Sequence, residues 1–413
     1  MEKINLLKLS NKKFLKHNKK KRKLKLFKFT GYLMICFLLF LTYKFDLFSY
    51  FNKNIEKEDK NKTLINKINN YILICRNGTL VNGIQKSSKI PRITVVLILY
   101  NSEKTITTSV RSIQNQNFSD FEIIIIDDYS TDKSLDIIKS LHKEDKRIRI
   151  IQNKNNRGPL YSRSIGVLNA KGKYIFPLDS DDLFANDNLF DFCYNETEKF
   201  NIDILEFSGL MCTKGLLEIN KEFPEIPLYL RNKKHNFTIT SIELRLFIYK
   251  RMKNKRFKLI DAFLWGKSIK SIIYKKALNL LGENIYTQHL CYGEDRIVNF
   301  FLFKVANSFK FVNIYGVIYN INKYSITHSQ NKTKICHDEL LNIISIYNYT
   351  KNTKEVEIAV SEIITRWRVS IYPGIKDINN KNNLIILINQ MIKSKFINKI
   401  DKNILKFIYK KLF

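Results

Sequence analysis

The six cysteines form no Cys-x-x-Cys pair, and no histidine stands at a zinc-ligand spacing from any of them, so a structural zinc module is excluded. Acidic residues are scarce: 38 Asp and Glu face 71 Lys and Arg, a formal charge of +33. No basic recognition helix or aromatic stacking platform accompanies that charge, so nucleic acid is not expected as a partner. Residues 1–28 alone hold twelve Lys or Arg against one Glu. The rest of the excess is spread along a chain rich in Lys, Asn, Ile, Phe and Tyr, as an adenine/thymine-rich coding sequence produces without selection for a partner. Disorder is excluded by composition, since 45% hydrophobic and 13% aromatic residues are enough to build a large core.

Long apolar runs are also few. Phe29 to Tyr43 is fifteen residues without a charge, and apolar character resumes after Lys44 and Asp46 as far as Phe51. A spanning helix usually needs ~20 residues, but a lysine near one end can snorkel to the interface. Residues 29–50 are therefore expected to form a transmembrane anchor, with 1–28 as a basic cytosolic tail and the large domain on the far side. This is a single-pass type II arrangement facing the Golgi or ER lumen. A cleaved signal peptide is the competing reading, although the basic region is long for one. Seven Asn-x-Ser/Thr sites beyond the span, among them Asn61, Asn77, Asn195, Asn236 and Asn331, suit a luminal domain. Residues 51–90 are polar and read as a stem.

From Pro91 the pattern changes. Ile93 to Leu99, Phe121 to Ile126, Arg147 to Ile151 and Tyr174 to Leu178 are β-branched and aliphatic runs, as strands buried on both faces require. Between them lie helical repeats: Ile106, Val110, Ile113 after a cap at Ser102; Leu135, Ile138, Leu141 after Ser130 or Thr131; and Gly158 to Ala170. Strand and helix alternate with short links, which predicts an α/β domain over 91–330 with a mostly parallel open sheet and helices on both faces. Ligands of such sheets bind beyond the carboxyl ends of the strands. Asp127 and Asp128 follow the second strand, and Asp179, Asp181 and Asp182 follow the fourth, so both acidic groups are expected at one edge. Three clustered carboxylates repel one another unless a cation sits among them, and their oxygen chemistry suits Mn2+ or Mg2+ carrying a diphosphate. A solvated turn with Asp182 as a helix cap is the plainer reading of that motif. His328 is a further candidate metal ligand, with an exposed loop histidine the plainer reading, and Trp265 is either a platform for a sugar face or a core tryptophan.

The segments Ile93-Thr-Val-Val-Leu-Ile-Leu-Tyr-Asn101, Phe121-Glu-Ile-Ile-Ile-Ile-Asp-Asp-Tyr-Ser-Thr-Asp132, Asn156-Arg-Gly158 and Gly172-Lys-Tyr-Ile-Phe-Pro-Leu-Asp-Ser-Asp-Asp182 resemble, in order and spacing, the nucleotide-binding half of family 2 glycosyltransferases. The resemblance implies the A-type glycosyltransferase fold, a nucleotide-sugar donor, a divalent metal and inversion at the anomeric carbon. It implies Tyr100, Glu103 and Asp128 beside base and ribose, with Asp127 and Asp179 on the same nucleotide side. Arg163 falls toward the phosphates and Asp181 is the principal metal ligand. Tyr129 stands where the family usually has Gly, and Ser164 where Asn is usual.

A second block, Asp261 to Ser329, is similar to the family's acceptor half through Trp265-Gly-Lys267, Gly293-Glu-Asp295 and the Tyr319 to Ser325 segment. By that resemblance Asp295 is the catalytic base, Glu294 orients it or the acceptor, and Trp265 and Lys267 border the acceptor: a hydroxyl of a glycan, protein or lipid. An acidic pair at a helix start, satisfying its dipole, is the structural alternative. Residues 331–413 read as a C-terminal helical appendage whose lysine-rich, amphipathic end resembles a surface for a membrane or an anionic acceptor, with one face packed on the catalytic domain and the lysines exposed as the plainer outcome. Two other classes compete with transfer. A sugar nucleotidyltransferase would need a Gly-rich phosphate loop, and none follows Leu99. A membrane-tethered binding protein with the same fold need not keep Asp179, Asp181, Asp182 and Asp295.

Overall fold

A computed structural model of the chain describes residues 67, 70–80, 90–212, 237–240, 263–320, 331–367, 371–375 and 378–412. The four expected strands are present as β1 (Ile93–Leu99), β2 (Phe121–Asp127), β3 (Ile148–Gln152) and β4 (Tyr174–Asp179). They are joined by α1 (Ile106–Gln114), α2 (Ser134–Glu144) and α3 (Pro159–Asn169). β1 pairs in parallel with β2 and β4, and β2 with β3. Alternate residues of these strands enter opposite cores, which is why the runs are aliphatic throughout. Val96, Ile124, Ile126 and Ile175 meet Leu160 and Val167 of α3. Val95, Leu97, Ile123, Ile125 and Phe176 meet Ile106 and Val110 of α1 and Ile138 of α2. Gly166 lets α3 lie flat on the sheet: a Cβ there would stand 2.5 Å from Val96 Cγ1.

The rest of the sheet is not parallel. The strand order is β3-β2-β1-β4-β8-β6-β9-β5, with β7 also on β9. Here β5 is Leu183–Phe184, β6 Ile204–Cys212, β7 Phe237–Thr240, β8 Lys267–Lys270 and β9 Ser308–Asn320. β8 runs antiparallel to both β4 and β6, β9 is parallel to β6, and β5 and β7 are antiparallel to β9. β4 and β5 are separated by only residues 180–182, a reach of about 14 Å at full extension. Four flat strand spacings would set them about 19 Å apart. The sheet therefore curls, aided by register shifts at Phe207/Ser208 and Ser208/Gly209, and brings β9 round to the end of β4.

α4 (Leu189–Phe200) covers one face, and α5 (Ser271–Leu281) and α6 (Glu294–Val305) the other. α7 (Lys332–Thr350), α8 (Val356–Arg366), α9 (Ile378–Lys393) and α10 (Lys399–Lys410) share the core of α3, α5 and α6, and Ile65–Phe413 form one compact unit.

These observations correct the expected fold class, which becomes a mixed, curled α/β sheet in place of a mostly parallel open one. The N-terminal transmembrane helix does not belong to the described fold: no helix among the described residues is long and apolar enough to cross a membrane, and 29–50 lie outside them. The C-terminal helices are packed into the domain core and do not form an appendage. Residues 71–79, expected in the stem, lie against α1: Tyr71 Oη donates to the Ser112 carbonyl at 3.0 Å, and Asn115 Nδ2 to the Thr79 carbonyl at 2.9 Å. Ser102 does not cap α1. Its carbonyl closes a turn onto Thr105 and Ile106, and its hydroxyl meets Ser180 Oγ at 2.6 Å.

Candidate active site

Strand register sets the acids. Leu99 pairs with Asp127 and Ile98 with Asp179, so β1 separates two carboxylates at one edge of the sheet. On the β2 side the expected nucleotide residues are mostly engaged with the protein itself. Asp127 accepts from Ser130 N at 3.0 Å and Gln152 Nε2 at 3.2 Å. Asp128 is buried and accepts three hydrogen bonds: from Asn153 Nδ2 at 2.7 Å, Arg157 N at 2.8 Å and Gly158 N at 2.7 Å. It builds the 153–158 loop. Glu103 accepts from Lys133 N and donates its own N–H to Asp132, clasping the β1 and β2 loops together.

Tyr100, 46% exposed, is the member of that set with an open surface, and Tyr129, 49% exposed, stands on the neighbouring loop. Tyr129 has φ +69°, the left-handed region that a glycine occupies without strain. The departure from Gly noted in the sequence is thus a side chain held at a glycine-type backbone position.

Arg163 joins the two halves of the domain. Buried on α3, it reaches Asp179 Oδ1 at 2.8 Å with one guanidinium nitrogen and Asp295 Oδ1 at 3.0 Å with the other, which also lies 3.5 Å from Glu294 Oε1. Burial opposes its charge, but Asp295, Asp179 and Glu294 outweigh that and hold its pKa above the ordinary value. Asp295 Oδ2 accepts from Leu264 N at 3.2 Å. Glu294 and Asp295 begin α6 behind Gly293 at φ +73°, where the helix dipole favours negative charge.

The loop ahead of that pair is clamped from α7, a part the sequence reading missed. Asp338 is fully buried and accepts from Cys291 N at 3.0 Å and Tyr292 N at 3.1 Å, Asn342 Nδ2 donates to the Tyr292 carbonyl, and Glu339 pairs with Arg296. No local signal could reveal this, because the partners lie 46 and 47 residues apart in the chain.

Asp179, Asp181 and Asp182 part company. Asp182 is fully buried: its Oδ1 accepts from Asn320 N at 2.9 Å, its carbonyl accepts from Ser109 Oγ, and burial drives its pKa well up. Through Oδ1 it serves the β4–β9 junction, while its buried Oδ2 has no hydrogen-bond partner among the described residues. Burial, then the neighbouring Asp179, pushes Asp181 up to about 7. Among the described residues no group of three or more His, Cys, Asp or Glu is placed to hold a metal ion, and His328 lies outside them. The donor chemistry of Asp179 and Asp181 still fits a hard cation, because neighbouring carboxylate oxygens are relieved of their repulsion by a divalent charge.

The expected acceptor residues are interior. Trp265 is buried and stacked on Phe263 at 4.7 Å and Tyr319 at 5.4 Å. Lys267 is also buried. Its ammonium donates to the Phe263 carbonyl and lies 3.6 Å from Glu206 Oε2. Both therefore hold the 263–265 loop, whose Leu264 N–H meets Asp295, and neither presents a surface to an acceptor.

Burial, then Asp295, raises Glu294 to about 8, with Arg163 opposing. In the unfolded chain a Glu titrates near about 4.3. The folded protein holds this proton more tightly, so stability is greatest below that pH and falls as pH rises toward about 8. Thermal unfolding followed from about pH 5.5 to about pH 8.5 should show that decline, and Glu294→Gln, which has no charge to bury, should flatten it. An unchanged slope in the variant would refute the assignment.

The curled mixed sheet, with acids at the ends of its parallel strands, has the fold of the A-type glycosyltransferases. Residues 94–201 match the model of Glycosyl transferase family 2. An uncharacterized glycosyltransferase of Haemophilus influenzae is 42% identical over 99 residues, 24% of this chain and 40% of the relative. Glycosyltransferase GlyG of Streptococcus pneumoniae is 33% identical over 113 residues, 27% and 37% of the two chains. This chain thus spans less than half the length of each of these relatives. Among solved structures, S. aureus TarS 1-349 in complex with UDP-GlcNAc superposes with a TM-score of 0.55 at 17% identity, over 78% of this chain and 88% of that one. This last likeness is one of fold.

Proposed function

We propose that the protein transfers a sugar, with inversion, from a nucleotide-diphosphate donor to a hydroxyl of a glycan, protein or lipid acceptor. The observation that carries this is Arg163, which ties Asp179 at the donor end of the sheet to the Glu294–Asp295 pair. A sugar hydroxyl is a weak nucleophile and needs a carboxylate to take its proton as the anomeric carbon gains positive character. Of the coupled pair, Asp295 has the shorter contact to Arg163 and the Leu264 N–H, so it carries the negative charge while Glu294 keeps its proton. The acceptor oxygen bonds to the anomeric carbon, the bond from that carbon to the phosphate oxygen breaks, the diphosphate leaves with the electron pair, and the proton passes to Asp295.

Tyr100 borders the nucleotide base, and the loop built on Asp128 shapes its pocket. Asp179 and Asp181 would hold Mg2+ or Mn2+, which when bound neutralises charge on the leaving diphosphate. A nucleotide-sugar donor is supported by the UDP-GlcNAc complex of the fold neighbour TarS and by the family match over the donor half.

The test is a panel of nucleotide sugars with manganese, following nucleotide release. One donor should release its nucleotide in an acceptor-dependent manner, and Asp181→Ala should abolish that release. No release from any donor, or equal release by the variant, would overturn the reading.

A further inference from the structure

The outward face of the last helix, α10, carries two large apolar side chains exposed among lysines. Leu405, Ile408 and Leu412 anchor the inner side of α10 in the core, and the Asn398 side chain caps the helix by accepting from Asp401 N at 2.9 Å. The helix therefore cannot roll to hide its other side. There Ile400 is 73% exposed and Phe407 47% exposed. Seven residues apart, they fall on one stripe of a helix. Lys399, Lys406 and Lys410 flank the stripe on one side and Lys411 on the other, and all four are exposed. From Lys393 to Lys411 there are seven lysines and one acid, Asp401, which is held by Asn398 Nδ2 at 2.8 Å.

We infer that this face of α10 is a docking surface for an anionic phospholipid bilayer. An apolar stripe beside a row of lysines matches the boundary between acyl chains and headgroups, where side chains such as Ile and Phe enter the membrane and lysines meet phosphates. Each lysine at such a surface strengthens binding roughly fivefold, in a salt-sensitive manner. A second copy of the chain fits poorly, since two apolar side chains bury far less than a stable interface needs and identical lysine rows repel. Nucleic acid would use the lysines but leaves Ile400 without a role. The inference is independent of the transfer chemistry.

Residues 1–28 are basic and can hold the chain on vesicles by themselves, so the readout must be local. Hydrogen exchange of peptides spanning 396–411 is measured in the full chain with phosphatidylglycerol/phosphatidylcholine vesicles and with pure phosphatidylcholine vesicles. Exchange should slow several-fold with the anionic vesicles alone. The protection should vanish in the combined Lys399→Gln, Lys406→Gln, Lys410→Gln, Lys411→Gln variant and weaken in Ile400→Ser/Phe407→Ser, both with unchanged melting. The inference falls if 396–411 exchange is unaffected while the chain sediments with the vesicles, or if neutral vesicles protect equally. It also falls if duplex RNA protects as well as the anionic vesicles do, or if protection without vesicles grows with protein concentration.

Discussion

Asp295→Asn should lower kcat by about 10²–10⁴-fold, the usual contribution of a general base, while leaving nucleotide affinity unchanged. The amide keeps a carbonyl oxygen for Arg163, so the junction between α3 and α6 survives and only the proton acceptor is lost. Burial raises the pKa of Asp295, with Arg163 opposing. The acid limb of kcat/KM should therefore lie above the range of an exposed carboxylate, with activity rising as Asp295 loses its proton. Rapid-mixing kinetics together with calorimetric binding of the nucleotide decide the matter. Near-normal turnover, or a parallel loss of nucleotide affinity, would remove Asp295 from the base role.

The second large effect concerns stability. Arg163→Met replaces a buried guanidinium by a side chain of similar reach and leaves Asp179, Glu294 and Asp295 facing one another without a cation. Breaking a buried ion pair by removing one partner costs about 3–5 kcal/mol. Urea unfolding at two pH values should show the loss in full near neutral pH and reduced in acid, where the carboxyls protonate. The sign follows from linkage: without Arg163 the native acids bind protons still more tightly than unfolded ones, so the variant gains stability relative to wild type as pH falls. A pH-independent loss would mean that Arg163 acts through packing alone. Arg163→Lys should recover only part of the stability, since a single ammonium cannot reproduce a planar fork that reaches acids on two elements.

How far the site could be read in advance depended on whether a residue's role was local. Asp127 and Asp179 were placed at one sheet edge from the strand runs alone, because parallel register and strand ends are short-range properties. Asp128 was placed at the correct edge too, but its role depends on the backbone N–H groups of Arg157 and Gly158, whose direction no pattern encodes. The Asp-Ser-Asp-Asp motif looked like one three-pronged ligand. The curl of the sheet brings β9 to its last member, where Asn320 N donates to Asp182 Oδ1, a contact that no local pattern encodes. The family resemblance implies that Trp265 and Lys267 border the acceptor, yet whether they face a ligand or the core was set by Phe263, Tyr319 and Glu206.

The sequence by itself determined the four parallel strands, the two helical faces and the edge at which the acids gather, since aliphatic runs and helical periodicity are written in neighbouring residues. Only the tertiary structure decided which acids share a cation, which are tied into the scaffold, and that α7 holds the Glu294–Asp295 loop. Those outcomes rest on contacts such as Arg163 with Asp295, 132 residues apart, and Asp182 with Asn320, 138 apart. At such separations the direction of a side chain is fixed by packing, not by its neighbours in the chain.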